Sequence, residues 1–348
     1  MNSNQNTHSS LSQKPLGDTT VAALGFGLMG MSHGYKHGDA PEAAEQKHLE
    51  LMTQAADAGA TFWGTSDIYG PFTNEELVGK WFKQTGRRKE IFLATKFGNL
   101  NDPQTGQRVI RGDREYVKQA IEASLKRLGT DYVDLYYQHR VDKNTRIEET
   151  VEAMAELVKE GKVRYLGLSE CSAKTLRRAH KVHPIAACQL EYSMFTLDIE
   201  RPEVGLKEVC EELGIGIVAY SPLNQGLLTG ELKSRSDLEE GDVRLILPRF
   251  SEENFGKNLD IVNLVAKLAE KKGCTPGQLA IAWLLRQGNV IPLFGTRQKK
   301  HFEENLGALN VNLTEEEVQQ IRELAVNADV KGERYPPEFL ARLYLDTI

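Results

Sequence analysis

The feature that most constrains the fold of this 348-residue chain is a repeated alternation of short apolar runs with amphipathic segments of helical period. The runs are TTVAALGFG, TFWGTS, IFLATKF, VDLYYQH, VRYLGLS, AACQLEYS, GIVAYSP and VIPLFG. Apolar strands that alternate with helices form parallel sheets, and eight such units in one chain favour a closed barrel over an open doubly wound sheet. We therefore predict a single-domain α/β fold, the (β/α)₈ TIM barrel.

Three segments lie outside this alternation. Residues 1–16 are polar and lack both the apolar core of a secretory signal and the arginines of a transit peptide, which predicts a disordered tail and a cytoplasmic protein. Residues 226–260 are too long for an ordinary connection and predict a loop insertion after strand seven that covers a site. The barrel is predicted over residues 17–330, with TEEEVQQIRELA as a capped extra helix, and residues 331–348 as an extension over the barrel.

Composition excludes several classes of partner. No apolar run approaches the roughly 18 residues that a membrane span needs, and a net charge of -6 disfavours nucleic acid. The four cysteines lie far apart without a C-x-x-C pair, so neither a zinc site nor a disulfide scaffold is indicated, and a reducing compartment is favoured. A small molecule or another protein remains as the expected partner.

The stretch GFGLMG, residues 25–30, matches the dinucleotide fingerprint G-x-G-x-x-G. That fingerprint requires a helix that starts within the glycine turn, so that the helix N-terminus meets the pyrophosphate. Here MSHGYKHGDAPE intervenes before the helix. We therefore interpret the stretch as a glycine loop that approaches a ligand closely or turns at low strain.

Three chemically capable side chains follow three different strands. Tyr69 lies after strand two, Lys96 ends strand three and His139 ends strand four. Active sites of such barrels gather at the C-terminal ends of the strands, so these residues are expected to meet. An ammonium near a phenol favours the phenolate, and a histidine beside it can orient a carbonyl or relay a proton. Taken singly, each residue also fits a structural role, as a turn tyrosine, a strand-end charge or a core imidazole.

The last loop, FGTRQKKHFEENLGAL, predicts an anion site. Gly295 and Thr296 precede a helix whose first amides favour negative charge, with Arg297, Lys299 and Lys300 beside them. An arginine fork suits a phosphate monoester such as the 2'-phosphate of NADP, so NADPH is preferred to NADH as the cofactor. The alternative is a solvated basic turn that opposes Glu303 and Glu304.

From about residue 20 to residue 327 the chain resembles the aldo-keto reductases, within the fungal, bacterial and plant group that includes perakine reductase. The matching stretches are LGFGLMGMS, TSDIYG, NEELVGKWF, ATKFG, ASLKRLGTDYVDLYYQHRVD, VRYLGLSE, QLEYS, YSPLNQGLLTG, GCTPGQLAIAWLL and FGTRQKKHFEENLGAL. The resemblance implies a (β/α)₈ barrel that reduces aldehydes and ketones with NADPH, without a metal and without a Rossmann domain.

The resemblance also implies residue roles. Tyr69 is expected as the general acid, Lys96 as the cation that activates it, and His139 as the residue that positions the carbonyl. The implied cofactor contacts are Gly27, Leu28 and Met29 on the nicotinamide side, Ser169 and Gln189 at the carboxamide, Tyr220 beneath the ring, Ser221, Pro222, Leu223, Gly226 and Leu228 over the pyrophosphate, Gly295, Thr296, Arg297 and Gln298 at the 2'-phosphate, and Glu304 and Asn305 at the adenine. Glu170 stands where other branches of the family carry asparagine.

The chain departs from the family pattern at Gly64. In the family, the position five residues before the catalytic tyrosine is an aspartate that pairs with the lysine. Asp67 is no simple substitute, because an odd offset of three along an extended segment turns its side chain away from the face of Gly64. Compared with family members that carry the aspartate, we expect Lys96 to have less electrostatic support and a freer side chain. Catalysis should then be weaker, whereas NADPH binding should be largely unchanged.

The predicted substrate is an apolar or aromatic carbonyl compound, in a pocket walled by Tyr35, Trp63, Phe72 and parts of the insertion. A second hypothesis is an NADPH-binding barrel without meaningful catalysis, which senses or partners through the cofactor like the reductase-like β subunits of potassium channels. A third is a barrel glycosidase that uses Glu170 and Glu191, although the basic last loop then has no purpose.

Overall fold

The computed structural model describes residues 11–32, 41–101 and 105–348. The strands in these ranges are β1 (Gln13–Leu16), β2 (Thr19–Ala22), β3 (Gly25–Gly27), β4 (Phe62–Gly64), β5 (Phe92–Phe97), β6 (Asn99–Asn101), β7 (Arg108–Ile110), β8 (Val133–Gln138), β9 (Val163–Ser169), β10 (Ile185–Glu191), β11 (Gly216–Tyr220) and β12 (Val290–Gly295). The helices are α1 (Pro41–Asp57), α2 (Thr73–Thr85), α3 (Arg114–Leu128), α4 (Ile147–Lys159), α5 (Ala173–Val182), α6 (Leu206–Leu213), α7 (Glu252–Lys272), α8 (Pro276–Leu285), α9 (Lys299–Leu306), α10 (Glu315–Asn327) and α11 (Pro337–Leu340).

Eight parallel strands close into a barrel, in the order β3, β4, β5, β8, β9, β10, β11 and β12, with β12 paired to β3. Helices follow the strands and cover the outside of the barrel, which confirms the predicted (β/α)₈ fold. No helix in the described ranges is long and apolar enough to cross a membrane.

The core has two layers because side chains alternate across each strand. Phe62 points into the barrel with Leu135 and Ile291, whereas its neighbour Trp63 points outward. The Trp63 ring packs against Trp81 at a centroid distance of 4.7 Å, and its Nε1 donates to the carbonyl of Ala60. The prediction that Trp63 walls the substrate pocket is therefore wrong, because Trp63 lies between the barrel and its helices.

An antiparallel hairpin precedes the barrel. Strands β1 and β2 pair around Gly17, whose φ of 61° gives the left-handed turn, and Leu16 belongs to the core inside the barrel. Lys14 Nζ donates to the carbonyls of Leu285 (3.0 Å) and Gly288 (2.6 Å), which ties the hairpin to the distant end of α8. The disordered tail predicted for residues 1–16 is thus wrong for Gln13–Leu16, whereas residues 1–10 lie outside the described part.

The insertion after β11 is shorter than predicted. Short 3₁₀ turns run from Asn224 to Phe250, and α7 begins at Glu252, inside the predicted 226–260 loop. The buried Arg249 anchors this stretch, because its guanidinium donates to Thr196 Oγ1 (2.8 Å), Asn224 Oδ1 (3.1 Å) and the Phe195 carbonyl (3.0 Å). The insertion is therefore fastened to the loop that follows β10.

The C-terminal segment, residues 331–348, returns to the end of β9. The Tyr344 amide donates to the Glu170 carbonyl (2.8 Å), and the Ser172 amide donates to the Leu345 carbonyl (3.1 Å). Arg178 Nη1 donates to the Thr347 carbonyl at 3.0 Å. The segment thus contacts the C-terminal ends of the strands, where barrel sites are built.

Candidate active site

Tyr69, Lys96 and His139 meet at the C-terminal ends of β4, β5 and β8. Lys96 Nζ donates to Tyr69 Oη at 3.0 Å and lies 4.7 Å from the centroid of the Tyr69 ring. The rings of Tyr69 and His139 meet edge to face with centroids 5.9 Å apart. The structure therefore brings together the three residues predicted as catalytic.

The turn between β4 and α2 places Tyr69. The Tyr69 amide donates to the Ser66 carbonyl (3.2 Å), and the Tyr69 carbonyl accepts from the Asn74 amide in the first turn of α2. The Asp67 amide donates to the Lys96 carbonyl at 3.2 Å, which holds the turn against the end of β5. The tyrosine and the lysine are thus linked through the backbone as well as through their side chains.

Lys96 is a buried cation whose hydrogen-bonding partners are neutral. Its second hydrogen bond goes to the Thr65 carbonyl at 2.8 Å, and among the described residues no carboxylate forms an ion pair with it. These two hydrogen bonds hold the ammonium in place, and a side chain freer than in relatives with the aspartate stays a prediction. The predicted lack of a paired carboxylate is seen in the described part of the chain, and burial of a cation without a counter-charge costs free energy.

Gly64 faces the interior of the barrel beside this lysine. A Cβ atom added at Gly64 would lie 3.3 Å from Leu293 Cδ2 and 3.5 Å from Leu293 Cδ1. These contacts are tight but involve the flexible end of a side chain, so a small movement of Leu293 admits a larger residue. A side chain at this position would therefore begin inside the barrel, against Leu293.

His139 is held as a neutral imidazole. Burial and the nearby charges of Lys96, Arg140 and Arg108 lower its pKa well below the ordinary value. Its Nδ1 lies 3.1 Å from Ser66 Oγ. Because Nδ1 faces the serine, Nε2 is the nitrogen left to meet a substrate.

Asp67 is buried beneath the turn and does not contact the Lys96 ammonium. Its carboxylate accepts from Ser66 Oγ at 3.2 Å. Burial and the charge of Glu75 raise the pKa of Asp67 to about 8, against the opposing effect of the Ser66 hydrogen bond. The carboxyl is therefore mostly protonated near neutral pH.

This carboxyl makes stability depend on pH. Between pH 4 and 8 the folded protein keeps the Asp67 proton and the unfolded chain loses it, so the free energy of unfolding falls as pH rises. We expect the stability of the unmodified chain relative to Asp67→Asn to fall by up to about 1.4 kcal/mol per pH unit in this window. Urea unfolding of both proteins from pH 5 to 8 checks this, and a stability difference independent of pH would contradict it.

The two residues predicted at the nicotinamide carboxamide are buried side by side, next to the predicted ring contact Tyr220. Ser169 and Gln189 are register partners on β9 and β10, and the half-buried Tyr220 ends β11. Tyr220 Oη donates to Glu170 Oε1 at 2.9 Å and accepts from Tyr335 Oη at 3.4 Å. The tyrosine is thus held by a carboxylate and by the C-terminal segment.

Glu170 and Glu191 do not form a glycosidase pair. Both are fully buried, and Arg334 lies 3.4 Å from Glu170 Oε2 and 3.6 Å from Glu191 Oε2. Arg249 lies 3.6 Å from Glu191 Oε1. A glycosidase needs carboxylates that reach a sugar, so these buried ion pairs argue against that hypothesis.

Two loops provide features that suit the phosphates of a dinucleotide. In the loop after β11, four residues have left-handed backbones: Ser221, Asn224, Gln225 and Gly226. Ser221, Asn224 and Gln225 are strained because they are not glycines, and strained backbones of this kind cluster at ligand-binding sites. After β12, Gln298 immediately precedes α9, and the first amides of a helix, together with Arg297, offer donors to an anion.

The glycines between these loops allow close approach. Gly295 on β12 pairs with Gly27 on β3, and a Cβ at Gly295 would lie 3.2 Å from the Gly27 carbonyl oxygen. Gly27, Met29, Leu223, Thr296 and Glu304 are half-buried, and Gln298 is exposed. These residues and the two loops fit an elongated ligand across β11, β12 and β3.

Several predicted contacts have little surface to offer. Leu28 and Leu228 are fully buried, and Pro222 and Asn305 are also buried. The Leu28 amide donates to the Gly64 carbonyl, and its carbonyl accepts from Asn74 Nδ2. Leu28 and Leu228 therefore support the loops from below rather than present side chains to a ligand.

Phe72 is also placed away from the predicted substrate pocket. Its side chain is 50% exposed and lines an outer groove with Glu76, Ala123, Lys126 and Arg127, between α2 and α3. The Arg127 guanidinium lies 4.7 Å from the Phe72 ring centroid. The prediction that Phe72 walls the pocket is therefore wrong, and Tyr35 lies outside the described residues.

Sequence reasoning missed the arginines around the site. Arg140 Nη1 donates to the His139 carbonyl at 2.7 Å and to Ser169 Oγ at 3.4 Å. Arg334 reaches Glu170 from 164 residues away in the chain. The position of Arg140 directly after His139 was an available signal, whereas nothing local marks Arg334.

Known proteins are similar to this chain over most of its length. The model of the aldo/keto reductase family matches residues 23–326. The chain is 50% identical over 339 residues to aldo-keto reductase yakc, NADP(+), of Schizosaccharomyces pombe, which covers 97% of this chain and 98% of that protein. It is 51% identical over 326 residues to aldo-keto reductase str7 of Strobilurus tenacellus, covering 93% of this chain and 95% of that protein.

Solved structures of two relatives share the fold. The glycerol dehydrogenase AKR11B4 from Gluconobacter oxydans has a TM-score of 0.81 and 26% identity, over 93% of this chain and 98% of that one. The thermostable aldo-keto reductase Tm1743 has a TM-score of 0.72 and 32% identity, over 90% and 100% respectively. On the family match, the near-complete coverage by relatives at half identity and the shared barrel, this chain belongs to the aldo/keto reductase family.

Proposed function

We propose that this chain catalyses the NADPH-dependent reduction of an aldehyde or ketone to an alcohol. The observation that carries the proposal is the 3.0 Å hydrogen bond from Lys96 Nζ to Tyr69 Oη at the strand ends, with His139 beside the same ring. The name of the 50% identical yakc protein includes NADP(+), which supports the choice of cofactor.

Each catalytic side chain has one task in this proposal. The reduced nicotinamide, when bound, supplies a hydride to the carbonyl carbon. Tyr69 Oη gives its proton to the carbonyl oxygen, which completes the alcohol, and the Lys96 hydrogen bond stabilises the phenolate that remains. We assign the proton of the neutral His139 to Nε2, from which it donates a hydrogen bond that orients the carbonyl, while Nδ1 faces Ser66 Oγ.

We assign the cofactor to the surface across β11, β12 and β3. Ser169 and Gln189 would hold the carboxamide, and Tyr220 would lie beneath the ring, fixed by Glu170 and Tyr335. The left-handed loop from Ser221 to Gly226 would cover the pyrophosphate. The start of α9 would hold the 2'-phosphate.

We further propose that Gly64 lowers turnover without preventing cofactor binding. Lys96 is buried and its hydrogen-bonding partners are neutral, whereas the cofactor loops lie on other strands. This lysine environment also supports the second hypothesis, a barrel that binds NADPH and has little activity. A panel of neutral and charged aldehydes with NADPH separates them: measurable turnover favours the reductase, and tight NADPH binding without turnover favours the binding protein.

Arg297 tests the cofactor assignment. We expect Arg297→Ala to raise the KM for NADPH roughly 10- to 100-fold and to change the KM for NADH little, because a charge-assisted fork to phosphate is worth about 1.5–3 kcal/mol. Arg297→Lys keeps the charge but loses the guanidinium fork, so its KM for NADPH should lie between those of the unmodified chain and of Arg297→Ala. Equal changes in the KM for NADPH and NADH would contradict a 2'-phosphate site at this loop.

A further inference from the structure

We propose that the substrate carries a second, anionic group beside its carbonyl, bound by three arginines at the mouth of the site: Arg108, Arg140 and Arg342. This inference rests on the proposed carbonyl reduction. It replaces the predicted apolar or aromatic compound with an anionic carbonyl compound, whose anion is a carboxylate or a phosphate monoester.

The three arginines come from three different elements. Arg108 lies on β7, in the hairpin that follows the strand of Lys96. Arg140 directly follows His139, and its Nη1 bridges the His139 carbonyl (2.7 Å) and Ser169 Oγ (3.4 Å), between the ends of β8 and β9. Arg342 lies two residues before Tyr344, whose amide is bonded to the Glu170 carbonyl beside Ser169. The three arginines thus come from the hairpin after β5, the end of β8 and the segment that returns to the end of β9.

Their charges act on one another and on the catalytic residues. Burial lowers the pKa of Arg108, and the guanidiniums of Arg342 and Arg140 lower it further. Arg140 and Arg108 both contribute to the lowered pKa of His139. Arg108 and Arg140 therefore act electrostatically on the residue that is proposed to orient the carbonyl.

These arginines form no direct ion pair with a carboxylate of the described residues. In the described ranges, no Asp or Glu forms an ion pair with Arg108, Arg140 or Arg342. The deeper arginines, Arg334 and Arg249, are instead paired with Glu170 and Glu191. Glu170 also favours the charge of Arg140, but the two buried carboxylates are already paired with Arg334 and Arg249. The remaining excess of positive charge, in a chain of net charge -6, favours an anion at this rim.

The phosphates of the cofactor do not account for this cluster. The loops that suit those phosphates follow β11 and β12, whereas Arg140 lies at the ends of β8 and β9, beside the residues assigned to the carboxamide. A guanidinium fork binds planar or tetrahedral oxyanions through paired hydrogen bonds. The ligand expected at this rim is therefore the substrate's own anion.

The test compares 4-formylbenzoate with its neutral methyl ester under NADPH. We expect kcat/KM to be at least about 10-fold higher for the anion, and Arg108→Gln and Arg342→Gln each to reduce that ratio by roughly 10-fold, mainly through KM. Arg177→Gln, on the outer face of α5, is the matched control and should keep the ratio. A ratio near one in the unmodified chain, or a ratio that neither rim variant changes, overturns the inference.

Two further arms make the result specific. 4-Formylphenyl phosphate is assayed in parallel, and the kcat/KM of each anionic substrate is divided by that of the neutral methyl ester. The substrate with the larger ratio carries the anion that the site prefers. Ratios near one for both anions overturn the role of the arginine cluster. Calorimetry on the NADP-bound protein measures the affinities of 4-(hydroxymethyl)benzoate and its methyl ester, so it tests the anion site without turnover. Preferred binding of the acid, lost in Arg108→Gln, supports the anion site even if reduction fails, whereas equal binding of acid and ester counts against it.

Discussion

Replacing Gly64 with aspartate is expected to raise kcat for carbonyl reduction about 10- to 100-fold, because a restored carboxylate would compensate the buried charge of Lys96. The Lys96 ammonium already lies 2.8 Å from the carbonyl of Thr65, the residue next to Gly64, so an aspartate side chain there would be within reach. The carboxylate would offset the cost of burying the ammonium charge, which the ammonium needs in order to stabilise the Tyr69 phenolate. Steady-state kinetics of both proteins with one aldehyde at saturating NADPH measure the effect.

Gly64→Asn is the matched control for this substitution. It introduces a side chain of the same size against Leu293 without the negative charge, so it separates electrostatics from packing. We expect Gly64→Asn to leave kcat near that of the unmodified chain. If Gly64→Asp gives no gain, or if Gly64→Asn gives the same gain, the proposed role of the missing carboxylate is wrong.

Replacing Tyr69 with phenylalanine is expected to lower kcat by about 10²- to 10⁴-fold, because the ring remains but the only proposed proton donor is removed. Phenylalanine keeps the ring that lies 4.7 Å from the Lys96 ammonium and edge to face with His139. The variant should therefore fold as the unmodified chain does. The rate of NADPH oxidation with an excess of aldehyde measures the loss.

Cofactor affinity is the control for the tyrosine variant. The proposed cofactor contacts lie on β3 and on β9 to β12, so the dissociation constant for NADPH should change by less than about threefold, which is under 1 kcal/mol. A loss of NADPH binding in Tyr69→Phe would mean that the rate reports binding rather than proton transfer. Unchanged turnover would remove Tyr69 from the mechanism.

The barrel and the meeting of Tyr69, Lys96 and His139 were predictable because both depend on local sequence order. Alternating strands and helices leave few ways to close a sheet, and a strand-end position fixes where a side chain can meet others. Tyr69, Lys96 and His139 each follow or end an apolar run, so their meeting followed from the fold. The Gly64 departure was also visible, because the family pattern predicts a charged residue at that position.

The remaining features depend on three-dimensional contacts that local patterns do not encode. Trp63 was misplaced because a shift of one residue along a strand exchanges the inside of a barrel for the outside. The hairpin of β1 and β2 is fixed by Lys14, whose acceptors lie 271 and 274 residues away. Arg334 and Tyr335 reach Glu170 and Tyr220 only because the C-terminal segment returns across the strand ends.

The most direct test of the central claim is a single turnover of protein-bound NADPH with 4-nitrobenzaldehyde, followed by absorbance at the nicotinamide band. We expect the unmodified chain to oxidise its bound NADPH at a measurable rate, Gly64→Asp to do so faster, and Tyr69→Phe to leave the cofactor reduced over the same time. If the unmodified chain leaves its bound NADPH intact, or if Tyr69→Phe oxidises it equally fast, then Tyr69, Lys96 and His139 do not form a carbonyl-reducing site.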